Sequence, residues 1–599
     1  MAKAPYGSWK SPISTDLIVA GSIGLSSPQA LQNGRCWIES RPQEGGRSVL
    51  VKQDPDGKVH DVTPAPFNIR TRVHEYGGGA SLIHGDSIYF SNFSDQQLYR
   101  QGWEDPVPTQ LTHSEGYRFA NGSVDTLRNR MIYVVEDHNV SGEPKNLIGA
   151  VDLETGELTI LAKGHDFYSS PVISPDGSRM AFMTWDHPNM PWDESTIWVT
   201  ELDEAGMPRE MIPVAGGKQG EQKISVQQPQ FSATGELFYI SDESGYWNLY
   251  REQSGQSVCP REAEFGGPHW VFGMHHYEFL DSGKIICCYS EKNLDQLALL
   301  NPETGELEDL DLLYTSIGNL SLSGNRLLTV ASSPTLFQEI IEIDLSTKTI
   351  QTIKTSTDLE LDQAYLSVPE TIEFPTAGNA VAHGFYYPPT NQDFQGLDGE
   401  TPPLIVTLHG GPTSATHAVL SFKTQYWTTR GFGVLDLNYR GSTGYGRAYQ
   451  DELIRQWGII DVEDAVAGAE YLVRQQKADP LRLAIRGGSA GGYTTLAALT
   501  FADTFKAGAS LYGISDLEIL AQETHKFESR YLDRLIGDYP EEKEVYQARS
   551  PINHLDQLSS PCIFFHGLED QVVPPNQAEM MVEALRTKGV PVAYMPSEK

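Results

Sequence analysis

Two domains of different class are predicted: an all-β repeat domain, then an α/β domain with a mostly parallel, doubly wound sheet. Three observations carry this. The chain has 599 residues, and single cores stop growing near about 250–300 residues. Up to about residue 360 one short strand–turn–strand unit recurs. From about residue 365 continuous apolar runs alternate with helical periodicity. The expected divisions are an N-terminal segment, 1–25, the repeat domain, 26–360, and the α/β domain, 361–599.

The repeat has seven clear anchors. They are Cys36-Trp37-Ile38, Ile88-Tyr89-Phe90, Ile132-Tyr133-Val134, Ala181-Phe182-Met183, Phe238-Tyr239-Ile240, Ile285-Ile286-Cys287 and Leu327-Leu328-Thr329. Their spacing of 42 to 57 residues is that of propeller blades and far from helical repeats near 34. Several units continue into a hairpin turn of one type, as in Val151-Asp152-Leu153-Glu154-Thr155-Gly156 and Leu300-Asn301-Pro302-Glu303-Thr304-Gly305, which fits antiparallel pairing. Seven anchors predict a seven-bladed β-propeller, closed radially so that only short edges remain. A pair of β-sandwiches or a β-helix is the alternative; the period and the lack of helical segments disfavour both.

In the α/β part, Leu404-Ile405-Val406-Thr407-Leu408 is a continuous apolar run, as a buried parallel strand requires. Val434–Leu437, Leu483–Ile485, Ala509–Leu511 and Cys562–Phe565 read the same way. Between them, Asp461 to Gln475 sets Val462, Ala465, Val466, Ala469 and Leu472 on one helical face, and Asn576 to Lys588 does so with Ala578, Met581 and Leu585. Strands alternating with helices mean βαβ units.

Composition narrows the function classes. Hydrophobic residues at 39% and charged residues at 21% exclude wholesale disorder. The formal charge of −35 opposes nucleic acid and anionic membrane surfaces as partners. The five cysteines, at 36, 259, 287, 288 and 562, form no CxxC pair, against a disulfide framework or zinc ribbon. No apolar leader opens the sequence and no run of about 18 apolar residues occurs. A cytoplasmic protein in a reducing compartment is expected.

Chemistry concentrates in three loops. Gly487-Gly488-Ser489-Ala490-Gly491 fits G-x-S-x-G between a strand ending at Ile485 and a helix starting near Ala490. Such a turn needs glycines because the serine sits where strand becomes helix, with its hydroxyl exposed. A dinucleotide loop is disfavoured, since no G-x-G-x-x-G fits here and no P-loop lysine follows. Upstream, His409-Gly410-Gly411-Pro412 follows the strand 404–408. In an α/β-hydrolase an N–H of this loop joins the N–H after the nucleophile to bind the oxyanion, so Gly411 and Ala490 are the expected donors. His409 either belongs to the site or only shapes its turn. Third, Asp570 follows the strand 562–565 within His566-Gly567-Leu568-Glu569-Asp570-Gln571-Val572-Val573-Pro574. It comes after the serine, as the hydrolase order of serine, acid, histidine requires; Glu569 is the rival acid. The histidine should follow the next strand, Val592–Met595. The sequence ends at Lys599, before that loop, so the triad histidine is expected beyond Lys599. A chain ending there is expected to be nearly inactive, with only roughly 10³–10⁴-fold catalysis over water.

These motifs in this order resemble the prolyl oligopeptidase family of serine peptidases, in its acylaminoacyl-peptidase and aminopeptidase branch. Carrying the resemblance are His409–Thr413, Asn438-Tyr439-Arg440-Gly441-Ser442-Thr443-Gly444-Tyr445-Gly446, Trp457-Gly458 with Asp461–Asp464, Gly487–Tyr493, and His566-Gly567 with Asp570 and Val573-Pro574. In the repeat domain His74–Gly79, Trp185–Trp192 and Trp247–Tyr250 are similar too, and Pro5–Trp9 looks like the bacterial aminopeptidases of this branch that hydrolyse puromycin. The resemblance implies a propeller with an α/β-hydrolase domain, short peptides as substrates, and residues 1–25 packing on the hydrolase domain. It implies an acyl-enzyme mechanism through Ser489 and Asp570 without metal or organic cofactor, and a possible homo-oligomer.

An aminopeptidase must recognise a free α-ammonium and therefore needs a carboxylate. Glu75 beside Tyr76, and Asp193-Glu194 after Trp192, are the candidates; each is alternatively a turn or strand-end carboxylate facing solvent. An acylaminoacyl-peptidase or dipeptidyl-peptidase, a carboxylesterase, and a catalytically dead propeller scaffold are the other readings.

Overall fold

The computed structural model describes residues 1–19, 22–220, 222–570 and 572–598. Residues 20 and 21 of the N-terminal segment, Gln571 of the acid loop and the terminal Lys599 therefore lie outside the described residues, as does residue 221. The chain divides into two compact units. One holds residues 22–332 and 338–358; the other holds 1–19, 333–337 and 359–598.

The first unit is a seven-bladed propeller. Seven antiparallel sheets follow one another over residues 24–61, 81–110, 117–162, 167–224, 226–257, 277–309 and 316–355, each with its strands in chain order. Six have four strands; the fourth has five. The first blade's first strand, Gly24–Leu31, starts inside the segment expected at 1–25, but pairs with Gly34–Arg41 of that blade. All seven sequence anchors fall on the second strand of a blade. That strand lies between sheet neighbours on both sides, and in Ser87–Ser91 and Leu237–Ser241 every residue is buried. Burial on both faces produces the continuous apolar run that makes it visible in sequence.

The ring closes by packing. Leu25, Trp37, Val49 and Val51 of the first blade share a core with Leu328, Val330 and Ile340 of the seventh. Ala30 N–H donates to Ser321 Oγ (3.0 Å), and Arg326 to the Leu31 carbonyl (2.6 Å). The first strand of five blades carries a bulge at a residue of positive φ: Ser27, Asn121, Ser170, Gln228 and Asn319. A bulge frees backbone groups from the ladder. Asn121 Oδ1 then accepts the Ser170 N–H (2.8 Å), and Gln228 Oε1 the His276 N–H (2.7 Å), each in the next blade's first strand or its approach.

The second unit is an α/β-hydrolase domain. Its eight strands are β1 (Glu370–Pro375), β2 (Val381–Tyr387), β3 (Leu404–Leu408), β4 (Gly433–Asn438), β5 (Leu483–Gly488), β6 (Ala507–Leu511), β7 (Cys562–Gly567) and β8 (Val592–Ser597). They lie in the order β1-β2-β4-β3-β5-β6-β7-β8. The β1–β2 and β2–β4 pairs are antiparallel and all others parallel. Helices α1 (Ile460–Arg474), α2 (Ala490–Phe501) and α3 (Asn576–Lys588) cross between parallel strands. The N-terminal stretch belongs to this unit: Ala2–Lys3 pairs with Phe394–Gln395, and Trp9 and Ile13 are buried. Parallel order places the carboxyl ends of β3, β5 and β7 along one edge, which is where ligands meet open α/β sheets.

Candidate active site

Ser489 stands between β5 and α2, capping the helix, with φ 53° and ψ −123°, far from any relaxed conformation of an L-residue. The surrounding chain enforces this. A Cβ at Gly487 would stand 2.3 Å from the Gly491 carbonyl oxygen, and one at Gly491 would stand 2.5 Å from that of Leu408. Both glycines of the motif are thus required by backbone approach, and the turn is anchored by Ser489 N–H donating to the Leu511 carbonyl (3.0 Å) on β6.

The same crowding brings the loop after β3 against the serine. Leu408 pairs with Gly487, and a Cβ on Gly410 would lie 3.4 Å from Ser489 Cβ and 4.0 Å from its Oγ. Gly411 follows with φ 117°. The backbone of 410–411 and the first peptide of α2 therefore flank one hydroxyl, at the positive end of the helix.

His409 shapes this loop. Its Nδ1 faces the Gly410 carbonyl (2.8 Å), so that nitrogen carries the hydrogen; its Nε2 accepts from Ser442 Oγ (2.8 Å). Burial pushes its pKa down to about 4, keeping it neutral. Tyr439 stacks on the ring at 4.4 Å and donates to the Pro412 carbonyl (3.2 Å). Tyr531 holds Thr413 through its N–H (3.0 Å) and hydroxyl (2.6 Å). Both ring nitrogens of His409 are committed, which removes it as a proton acceptor for the serine. Of these supports, Tyr439 and Ser442 stand within the Asn438–Gly446 motif, but nothing in the sequence marks Tyr531.

Asp570 follows β7. Its Oδ1 accepts the N–H groups of Val572 and Val573, both at 3.0 Å, and the buried His566 donates Nε2–H to the Val573 carbonyl (2.8 Å). One carboxylate oxygen thus folds the loop, while Glu569 is exposed. β8 runs beside this loop, with Gly567 paired to Ser597 and Leu568 N–H donating to the Ser597 carbonyl (2.8 Å).

The three carboxylates expected to bind substrate lie in the propeller. Glu75 is exposed, at φ 64°, with Arg118 at 3.4 Å. Asp193 is buried and accepts the Met190 N–H (3.0 Å), the geometry of a turn. Glu194 faces Asn189 (3.4 Å) and Lys223 (4.0 Å). Ser489, Gly411 and Ala490 are brought together, and Asp570 occupies the same sheet edge two strands away. Among the described residues no group of three or more His, Cys, Asp or Glu could hold a metal ion, and no helix is long and apolar enough to cross a membrane.

A family model described as the prolyl oligopeptidase family matches residues 418–598. A puromycin-hydrolyzing peptidase of Mycobacterium tuberculosis is 38% identical with a TM-score of 0.95, over 100% of this chain and 94% of that one. The structure of a puromycin hydrolase is 36% identical with a TM-score of 0.94, again over 100% and 94%. The dipeptidyl aminopeptidase BIII of Pseudoxanthomonas mexicana is 31% identical over 199 residues, 32% of this chain and 29% of that protein. The match to this curated relative spans under a third of its length.

Proposed function

The chain belongs to the prolyl oligopeptidase family, and from that premise we propose that it is a serine peptidase that releases residues from the free amino end of short peptides through an acyl-enzyme. The observation that carries this is Ser489 held in a strained turn with the Gly410–Gly411 backbone against its side chain.

Ser489 Oγ attacks the scissile carbonyl carbon while its proton passes to a histidine. The N–H groups of Gly411 and Ala490 receive the oxyanion. The protonated histidine gives its proton to the departing amine, and water then releases the acyl group by the same steps. In this mechanism Asp570, whose Oδ1 is taken by the Val572 and Val573 N–H groups, uses its second oxygen to accept the imidazole Nδ1–H.

An aminopeptidase is favoured over an acylaminoacyl-peptidase by the similarity to puromycin-hydrolysing peptidases across the whole chain. In this reading the exposed Glu75 receives the α-ammonium. Asp193 is a weaker candidate because its carboxylate is spent within its own turn. Five buried, unpaired thiols suit a reducing compartment such as the cytoplasm. The test is an aminoacyl p-nitroanilide compared with its N-acetyl form: faster cleavage of the free amine is expected, and preference for the acetylated form would replace the assignment with acylaminoacyl-peptidase.

A further inference from the structure

The Trp457-Gly458 and Asp461 motif lies behind the nucleophile and takes no part in the steps above. Asp461 opens α1 with no exposed surface. Its Oδ1 accepts the Gly458 N–H (2.6 Å) and its Oδ2 accepts the hydroxyl of Thr494 (2.5 Å), one turn into α2. The same hydroxyl oxygen stands 3.2 Å from the carbonyl oxygen of Ala490. The Trp457 ring packs tilted against that of Tyr493 of α2, centroids 4.5 Å apart, and Tyr493 donates to the Arg549 carbonyl (3.0 Å).

A hydroxyl has one hydrogen. With Asp461 ionised, the carboxylate is the stronger acceptor and takes it. With Asp461 neutral, the acid donates to Thr494, and the threonine hydrogen turns to the Ala490 carbonyl. The carboxyl is therefore two contacts away from residue 490, whose N–H is assigned to the oxyanion. A buried carboxyl facing Asp464, Tyr439 and Tyr493, with Arg549 as the nearby cation, costs stability that an apolar side chain would not. What it supplies in return is a fixed donor direction at Thr494.

We infer that Asp461 is a positioning residue: through Thr494 it fixes the first turn of α2 and so aims the Ala490 N–H at the developing oxyanion. This rests on Ser489 being the nucleophile. Oxyanion donors act only where charge develops, so a misaimed donor lowers kcat and spares KM.

The experiment uses the full-length protein, a free aminoacyl p-nitroanilide and a peptidyl boronate, which mimics the tetrahedral state. Thr494→Val and Asp461→Asn are expected to lower kcat about tenfold with KM within about twofold, and to weaken the boronate by the same factor. Thr494→Ser, which keeps the hydroxyl, is expected to restore kcat. A folded Thr494→Val variant with wild-type kcat, a loss confined to KM, or a serine variant as slow as the valine one would overturn the inference. If Asp461→Asn does not fold, the two Thr494 variants decide. Ser489→Ala in the same assay separates the premises: activity retained there removes the nucleophile assignment, whereas Ser489→Ala inactive beside a fully active Thr494→Val removes only the role of Asp461.

Discussion

Asp570 and the turn aspartates of the propeller are built alike. Asp152 Oδ1 accepts the N–H groups of Glu154 and Thr155, and Asp344 Oδ1 those of Ser346 and Thr347. Asp570 Oδ1 does the same with Val572 and Val573. In the propeller both aspartates face solvent and their donors hold the carboxyl below the usual range. In the hydrolase unit the third sits at the end of buried β7, beside β8 and on the edge that carries Ser489. Local geometry does not separate a structural aspartate from a catalytic one. In the proposed mechanism position on the sheet does, because at the end of β7 the second oxygen is assigned the histidine to orient.

The largest effect that would sharpen this contrast is at the nucleophile. Ser489→Ala is expected to lower kcat by roughly 10⁵–10⁶, with an unfolding midpoint close to wild type, since one hydroxyl carries little stability. A kcat within tenfold of wild type would break the assignment. Next, Asp570→Asn keeps an acceptor for the turn but presents the wrong partner to a histidine, so kcat is expected to fall about 10⁴-fold. Asp152→Asn, an identical change in an identical turn, is expected to leave kcat unchanged. Equal effects in a steady-state assay would erase the distinction between the two regions.

Acid extends the comparison to stability. In the propeller, burial pushes His269 and His276 down to about 4. A base whose folded pKa lies below its unfolded value stabilises fully above about 6.5 and loses that contribution as pH falls toward 4. In the hydrolase unit, burial pushes Asp436 and Asp461 up to about 6. An acid raised in the folded state destabilises above pH 6, and that cost is relieved as pH falls through 6 toward 3.8. His409, also near 4, offsets part of this, and Glu278, raised by burial, offsets part of the propeller's loss. Between pH 7 and 5 the propeller is expected to lose roughly 2 kcal/mol per histidine and the hydrolase unit to gain about 1 kcal/mol per aspartate. Calorimetry at both pH values measures it; Asp461→Asn is expected to flatten the hydrolase response, and parallel shifts of both transitions would contradict the assignment.

The smallest effect is at the propeller's candidate for the substrate ammonium. Glu75→Gln is expected to raise KM for a free aminoacyl substrate about three- to tenfold and leave kcat in place, because the ammonium is bound alike in ground and transition states. A fall in kcat with KM unchanged would remove Glu75 from binding.

The physical reason for what sequence shows is burial. The second strand of each blade is covered on both faces, so its apolar run repeats visibly seven times, and β3 and β5 stand out likewise. The first strands do not, because their bulges at Ser27, Asn121, Ser170, Gln228 and Asn319 break the alternation with polar residues. At the site, Ser489 and Gly411 are readable because backbone crowding restricts the residues around them to glycine motifs, and Asp570 because it follows the apolar run of β7. Tyr531 supports the Gly411 loop from 118 positions away through a contact that only the fold creates. The sequence leaves His409 two roles, and the contacts of both ring nitrogens make it a loop-shaping residue.

The central claim is that Ser489 is the nucleophile, and a covalent label tests it most directly. Full-length protein is treated with a fluorophosphonate, digested, and its peptides mapped by mass. A single adduct on the peptide containing Ser489, absent from Ser489→Ala, is the predicted result. An adduct on another residue, or one that persists in Ser489→Ala, would contradict it.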